Sequence, residues 1–134
     1  MPEKIGYSVL VVDDSKILRS MLRNVLLNIG FEVDEVGTGE EAIEFINTKK
    51  TPDIILLDVE MPGMGGYETC KKIRELPAGK EIPIMMVTGL EDLQSIEKAY
   101  DAGATDFETK PINWDLIGYR VRFMIRNSLT KKGV

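Results

Sequence analysis

The 134-residue sequence has no histidine and a single cysteine, Cys70. Without histidine the chain supplies no Ser-His-Asp triad, no Cys-His pair, no HExxH zinc helix and no imidazole proton shuttle. One cysteine excludes an internal disulfide, a CxxC redox pair and a cysteine-rich metal cage, and it fits a reducing compartment, so the expected address is cytoplasmic. Excess positive charge is also missing. Seventeen Lys+Arg against 22 Asp+Glu leave a net charge of −5, which argues against direct nucleic-acid binding, because phosphates are neutralised by clustered cations. The longest apolar runs, such as Ile54 to Leu57, are far too short to span a bilayer, and no apolar segment follows Met1-Pro2-Glu3-Lys4 to read as a secretory signal. Neither a membrane nor a nucleic acid is an expected partner. The chemistry must run on carboxylates, amines and hydroxyls.

What is present has a strong order. The length and the 43% hydrophobic share suit one folded domain. Five short runs rich in β-branched residues, Leu or Met read as strands: Ser8 to Val12, Phe31 to Val36, Asp53 to Leu57, Ile82 to Val87 and Thr105 to Thr109. The first, third and fourth are almost continuously apolar, as in central parallel strands covered on both faces, whereas Phe31 to Val36 carries acids and suits an edge. Helical spacing fills the gaps. Ile17, Leu18, Met21, Leu22, Val25, Leu26 and Ile29 form one stripe that ends at Gly30. Thr38 and Glu41 read as a capping box opening a second helix. Tyr67 to Leu76 and Glu91 to Ala102 follow, and a last helix runs from Asn113 to Leu129 with Leu116, Ile117, Val121, Met124 and Ile125 on its apolar side. A strand-helix unit repeated five times implies an α/β fold, a doubly wound open parallel sheet whose functional residues lie at the carboxyl ends of the strands.

Those ends carry an unusual set: Asp13 and Asp14 after the first strand, Asp58 after the third, Thr88 after the fourth and Lys110 after the fifth. Two carboxylates about 4 Å apart repel by roughly 4 kcal/mol at an effective dielectric near 20. One lysine does not neutralise three of them, so the set calls for a divalent cation, and oxygen-only donors select Mg²⁺ or Mn²⁺. A carboxylate, Mg²⁺, a lysine and a hydroxyl are the parts needed for phosphoryl transfer. Asp13-Asp14-Ser15 alone could equally be a helix cap; the joint pattern at four strand ends is harder to explain as unrelated caps.

The motifs Val11-Val12-Asp13-Asp14-Ser15, Leu57-Asp58-Val59-Glu60-Met61-Pro62-Gly63-Met64-Gly65-Gly66, Val87-Thr88-Gly89, Ala102-Gly103-Ala104 and Lys110-Pro111 resemble, in this order, the receiver domains of bacterial two-component response regulators, similar to the single-domain chemotaxis regulator. The resemblance covers residues 7–129, leaving residues 1–6 as an N-terminal tail and 130–134 as a tail or the start of a linker. It implies a flavodoxin-like strand order 2-1-3-4-5, with Asp58 as the acceptor of a phosphoryl group from a phosphohistidine on a sensor histidine kinase or phosphotransfer protein. Mg²⁺ would be held directly by Asp14, Asp58 and the backbone carbonyl of Glu60, with Asp13 acting largely through water. Lys110 and Thr88 would contact the phosphoryl group, and the bond to Pro111 is expected to be cis. Phe107 matches a switch aromatic that turns inward when Thr88 moves, passing the signal to the face made by the fourth helix, fifth strand and fifth helix.

Other features carry less. Gly65-Gly66 stands where many receivers have Asp-Gly, a cheap change at a helix N-cap. Glu60 and Leu90 match family positions that tune phosphate lifetime. Met85-Met86 reads as strand core, Cys70 as an ordinary thiol, and Glu40-Glu41 and Lys71-Lys72 as solvated helix faces. Residues 113–126 look like the end of receivers that continue into a signalling helix and an output domain, often one making or degrading cyclic di-GMP. A downstream target, or a homodimer formed on phosphorylation, is the expected output. The competing readings are a pseudo-receiver that is never phosphorylated and an aspartate-nucleophile phosphohydrolase of the haloacid dehalogenase type. The latter wants Asp where Glu60 stands. A flavodoxin-like FMN carrier is disfavoured because Asp13-Asp14 would repel its phosphate.

Overall fold

The computed structural model describes residues 6–132; of the expected tails, residues 1–5 and 133–134 lie outside the described residues. The elements are β1 (Ser8–Val12), α1 (Lys16–Ile29), β2 (Glu32–Val36), α2 (Gly39–Thr48), β3 (Ile54–Asp58), α3 (Gly66–Glu75), a 3-10 turn at Pro77–Gly79, β4 (Ile84–Thr88), α4 (Leu93–Asp101), β5 (Asp106–Thr109) and α5 (Ile117–Lys132). The five strands form one parallel sheet in the order β2-β1-β3-β4-β5. β1, β3 and β4 are buried along their whole length, which is why they read as continuous apolar runs. β2 takes the edge that its acids suggested.

Because strand side chains alternate, the sheet feeds two cores. Val9, Val11, Ile54, Leu56, Met85 and Val87 face α1 and α5, where Leu22, Leu26, Ile117 and Val121 cover them. Leu10, Val12, Ile55, Leu57, Ile84 and Met86 face α2, α3 and α4, under Ala42, Ile46, Cys70, Ile73 and Ala99. Met85 and Met86 are thus both core, one on each side of the sheet. Burial pushes the Cys70 thiol up to about 11, consistent with an unreactive residue. Among the described residues no helix is long and apolar enough to cross a membrane.

Element ends differ from the sequence reading for local reasons. β2 begins at Glu32 because the N–H of Phe31 is spent on Leu26 O, within the turn where Gly30 (φ 119°) closes α1. β4 begins at Ile84 because Pro83 has no N–H to give a ladder. The side chain of Asp92, not Glu91, caps α4 by accepting from Ser95 N at 3.0 Å. α5 starts at Ile117 rather than Asn113, since Asn113 O receives both Leu116 N and Ile117 N in a preceding turn. Leu116 is therefore outside the helix and half exposed, and Ile17, Met21 and Ile29 of the α1 stripe are exposed as well. α5 continues to Lys132, past the expected end at Leu129.

The start of α3 lies against the strand that delivers Asp58. Gly65 is its N-cap and makes no side-chain cap bond. A Cβ on Gly66 would overlap the Asp58 carbonyl and the Val59 Cα, whereas one on Gly65 would meet only Val59 O at 3.5 Å. Gly66→Ala is therefore expected to lower unfolding stability by about 1–3 kcal/mol, the range for overpacking against atoms that cannot yield. Gly65→Asp should be neutral or raise stability by a few tenths of a kcal/mol, from the gained cap. Urea unfolding of the two variants measures both.

Candidate functional site

Strand order reverses at β1, so the carboxyl ends of β1 and β3 border the crevice where open α/β sheets place their sites. The β1–α1 connection is fixed by a chain of bonds. Asp13 N donates to Val36 O at 3.2 Å, Asp13 Oδ1 accepts from Ser15 N at 2.8 Å, and Ser15 Oγ caps α1 by accepting from Leu18 N at 3.2 Å. The α1 cap is thus Ser15 and neither aspartate, although one oxygen of Asp13 is engaged by Ser15 N. Asp13 and Asp58 are each 2% exposed, while Asp14 faces solvent. One carboxylate oxygen from each of Asp13, Asp14 and Asp58 lies within 4.8 Å of the others.

Lys110 comes from the end of β5. Its N–H donates to Thr88 O at 2.8 Å, continuing the β4–β5 ladder, and its Nζ reaches Asp58 Oδ1 at 3.1 Å. The Lys110–Pro111 peptide bond is cis. Thr88 ends β4, one residue beyond Val87, the β4 residue paired with Asp58. Its hydroxyl accepts from Leu90 N at 2.9 Å. Glu60 N donates to Asp58 Oδ1 at 3.3 Å, and the Glu60 side chain crosses to the β4–α4 loop, where its Oε1 accepts from Gly89 N at 3.1 Å. Phe107 is half-buried in β5, against the α4 side of the core, with its ring edge-on to Tyr100 at 6.0 Å. It stands two strands along from β3, with β4 between it and Asp58.

Burial, and then the charge of Asp13, push the Asp58 carboxyl up to about 6, against the opposing pull of Lys110. Burial also raises Asp13, and the bond from Ser15 only partly offsets it. Burial draws Lys110 down, but the hydrogen bond and charge of Asp58, with Asp13 and Glu60, outweigh it and hold the ammonium above its ordinary value. The site is short of positive charge. All-oxygen donors, two of them buried and all close together, fit Mg²⁺ or Mn²⁺ and not a soft metal.

Comparison with known proteins agrees with this geometry. The family model described as "Response regulator receiver domain" matches residues 9–122. The chain is 36% identical over 121 residues to the response regulator PleD of Caulobacter vibrioides, covering 90% of this chain and 26% of PleD. Among solved structures, a putative response regulator of Chloroflexus aurantiacus has a TM-score of 0.84 at 35% identity, covering 94% of this chain and 99% of that one. The receiver domain of the sensor histidine kinase PA1611 of Pseudomonas aeruginosa, described with a magnesium ion coordinated in its active-site cleft, has a TM-score of 0.83 at 25% identity, covering 90% and 98%. The fold and the acidic crevice define a receiver, and the chain belongs to the response regulator receiver domain family. It spans about a quarter to a half of the length of the curated relatives it matches.

The raised carboxyl of Asp58 fixes the sign of a pH effect. The folded state holds a proton that the unfolded chain releases near 3.8, so ionising Asp58 costs stability as pH rises through about 6. In chelator, Asp58→Asn should therefore be more stable than wild type at pH 8, by about 1–3 kcal/mol. That advantage should vanish as pH falls to 4, in paired urea titrations.

Proposed function

We propose that this receiver is a phosphorylation-controlled switch in which Asp58 accepts a phosphoryl group from a phosphohistidine on a sensor histidine kinase or phosphotransfer protein, in the cytoplasm. The observation that carries the reading is three carboxylates with one oxygen each within 4.8 Å of one another, together with Lys110 Nζ 3.1 Å from Asp58 Oδ1. Near pH 7 the Asp58 carboxylate is mostly ionised and is a competent nucleophile. In the transfer an Asp58 oxygen forms the new O–P bond as the P–N bond to the donor imidazole breaks, and the imidazole takes up a proton from solvent. Asp14, Asp58 and the Glu60 carbonyl would hold Mg²⁺ directly, with Asp13 acting through water. The cation, when bound, offsets charge on the transferred oxygens. Lys110 exchanges its bond to Asp58 for one to a phosphoryl oxygen.

The output follows from Thr88. Its hydroxyl now serves Leu90 N; turned toward the phosphoryl group it draws the β4–α4 loop inward and makes room for Phe107 to rotate toward the core. The face that would sense this is α4, β5 and α5, which exposes Leu93, Tyr100, Tyr119 and Phe123. An output domain, a separate target or a second copy of the chain would dock there, and residues 7–129 would form the receiver unit of a longer regulator. The similarity to PleD supports that arrangement.

The test is incubation with Mg²⁺ and acetyl phosphate, followed by intact mass. Wild type should gain one base-labile phosphoryl group and Asp58→Asn none. Lys110→Ala should be labelled on the order of 10²-fold more slowly, the usual loss when one group stabilising developing charge is removed. No labelling of wild type would favour a pseudo-receiver. Sustained turnover of unrelated phosphoesters would favour a phosphohydrolase.

A further inference from the structure

One largely buried cation beside the crevice has no part in this scheme. Arg19, on the first turn of α1, has a side chain only 17% exposed. Its guanidinium is divided between two partners: Nε donates to Glu35 Oε1 at 3.0 Å, near the end of β2, and Nη1 donates to the main-chain carbonyl of Asp13 at 2.7 Å. Gly37 leaves it room, since a Cβ there would stand 3.1 Å from Nη1. The Asp13 carbonyl belongs to the planar peptide unit that joins Asp13 to Asp14. Holding that oxygen fixes the plane from which the Asp14 side chain departs. Asp13 has its own further restraints at N–H and Oδ1, the latter a bond from Ser15 N that spans Asp14; the Arg19 bond is the one that acts directly on the carbonyl of the linking peptide.

We propose that Arg19, steadied by Glu35, is a positioning residue that aims the Asp13-Asp14 pair and so sets how tightly the crevice binds a divalent cation. The proposal rests on the reading of this crevice as an Mg²⁺ site. It makes a prediction opposite in sign to simple electrostatics. Arg19 is a positive charge that Asp13 senses. By Coulomb's law alone its removal should strengthen the attraction for a cation. If positioning dominates, its removal weakens binding.

The experiment is calorimetric titration of the full chain with MgCl₂, with thermal unfolding in EDTA recorded beside it. Arg19→Gln is expected to bind Mg²⁺ roughly tenfold more weakly than wild type, at the lower end of the losses seen when partners that orient metal ligands are removed. Arg19→Lys, which keeps the charge and one donor but not the fork, should fall between them. Glu35→Gln, whose amide oxygen still accepts from Nε, should stay within about twofold of wild type, far from the losses tied to a missing orienting partner. A merely structural Arg19 would lower the melting temperature of Arg19→Gln and leave the Mg²⁺ affinity of the folded protein unchanged. Unchanged or tighter binding by Arg19→Gln, with wild type binding normally, overturns the proposal. If Arg19→Gln does not fold, Arg19→Lys decides: weaker binding than wild type supports the role, and equal binding overturns it. Wild type that binds no Mg²⁺ overturns the site reading, and this proposal with it.

Discussion

Three carboxylates share the carboxyl end of one sheet with a single ammonium, two of them shut away from solvent. Packed like charges are unfavourable, and their burial removes the water that would screen them. The molecule meets this imbalance only in part. Lys110 binds Asp58, Ser15 N binds Asp13, and Asp58 still sits well above an ordinary carboxyl. A crevice left short of positive charge is one that gains most from an added cation, and with it from a group carrying further oxygens.

The fold sustains that tension through rigid supports. β1 and β3 are paired side by side and wholly buried, so Asp13 and Asp58 leave the sheet from fixed backbone. α1 is capped by Ser15, and α3 begins at a glycine pressed against Asp58 O. The less buried side is the β4–α4 connection, with its exposed Gly89 and Leu90. Two bonds tie it down there, Leu90 N to Thr88 Oγ1 and Gly89 N to Glu60 Oε1. Both end on residues beside Asp58 in the chain or the sheet, where the proposed phosphorylation would add charge. Under the proposed function, a rigid crevice joined to a loop held by two replaceable bonds is the physical basis of switching.

Much of this was legible in the chain because buried parallel strands are nearly all apolar and because the residues after them are not. Asp13, Asp14, Asp58 and Lys110 meet as the alternation of elements implies. Element ends were less legible, since they turn on single groups: the missing N–H of Pro83, the carboxylate of Asp92, the carbonyl of Asn113. Exposure also misled, because Ile17 and Leu116 obey helical spacing and still face water. The contacts of Arg19 and of the Glu60 side chain were not legible at all. Both depend on where a long side chain ends, and the approach of α1 to β2 or of one loop to another sets that. The one available sign for Arg19 was a cation between Leu18 and Leu22, on the apolar side of its helix.

The central claim, that this crevice is short of positive charge and built to accept it, is tested most directly by following the Asp58 carboxyl carbon by NMR across pH, first in EDTA and then with Mg²⁺. The account predicts a midpoint of about 6 without metal and a fall of at least one unit when Mg²⁺ is present, because a bound cation favours the ionised form. A midpoint near the ordinary carboxylate value of about 3.9, unmoved by Mg²⁺, would contradict it.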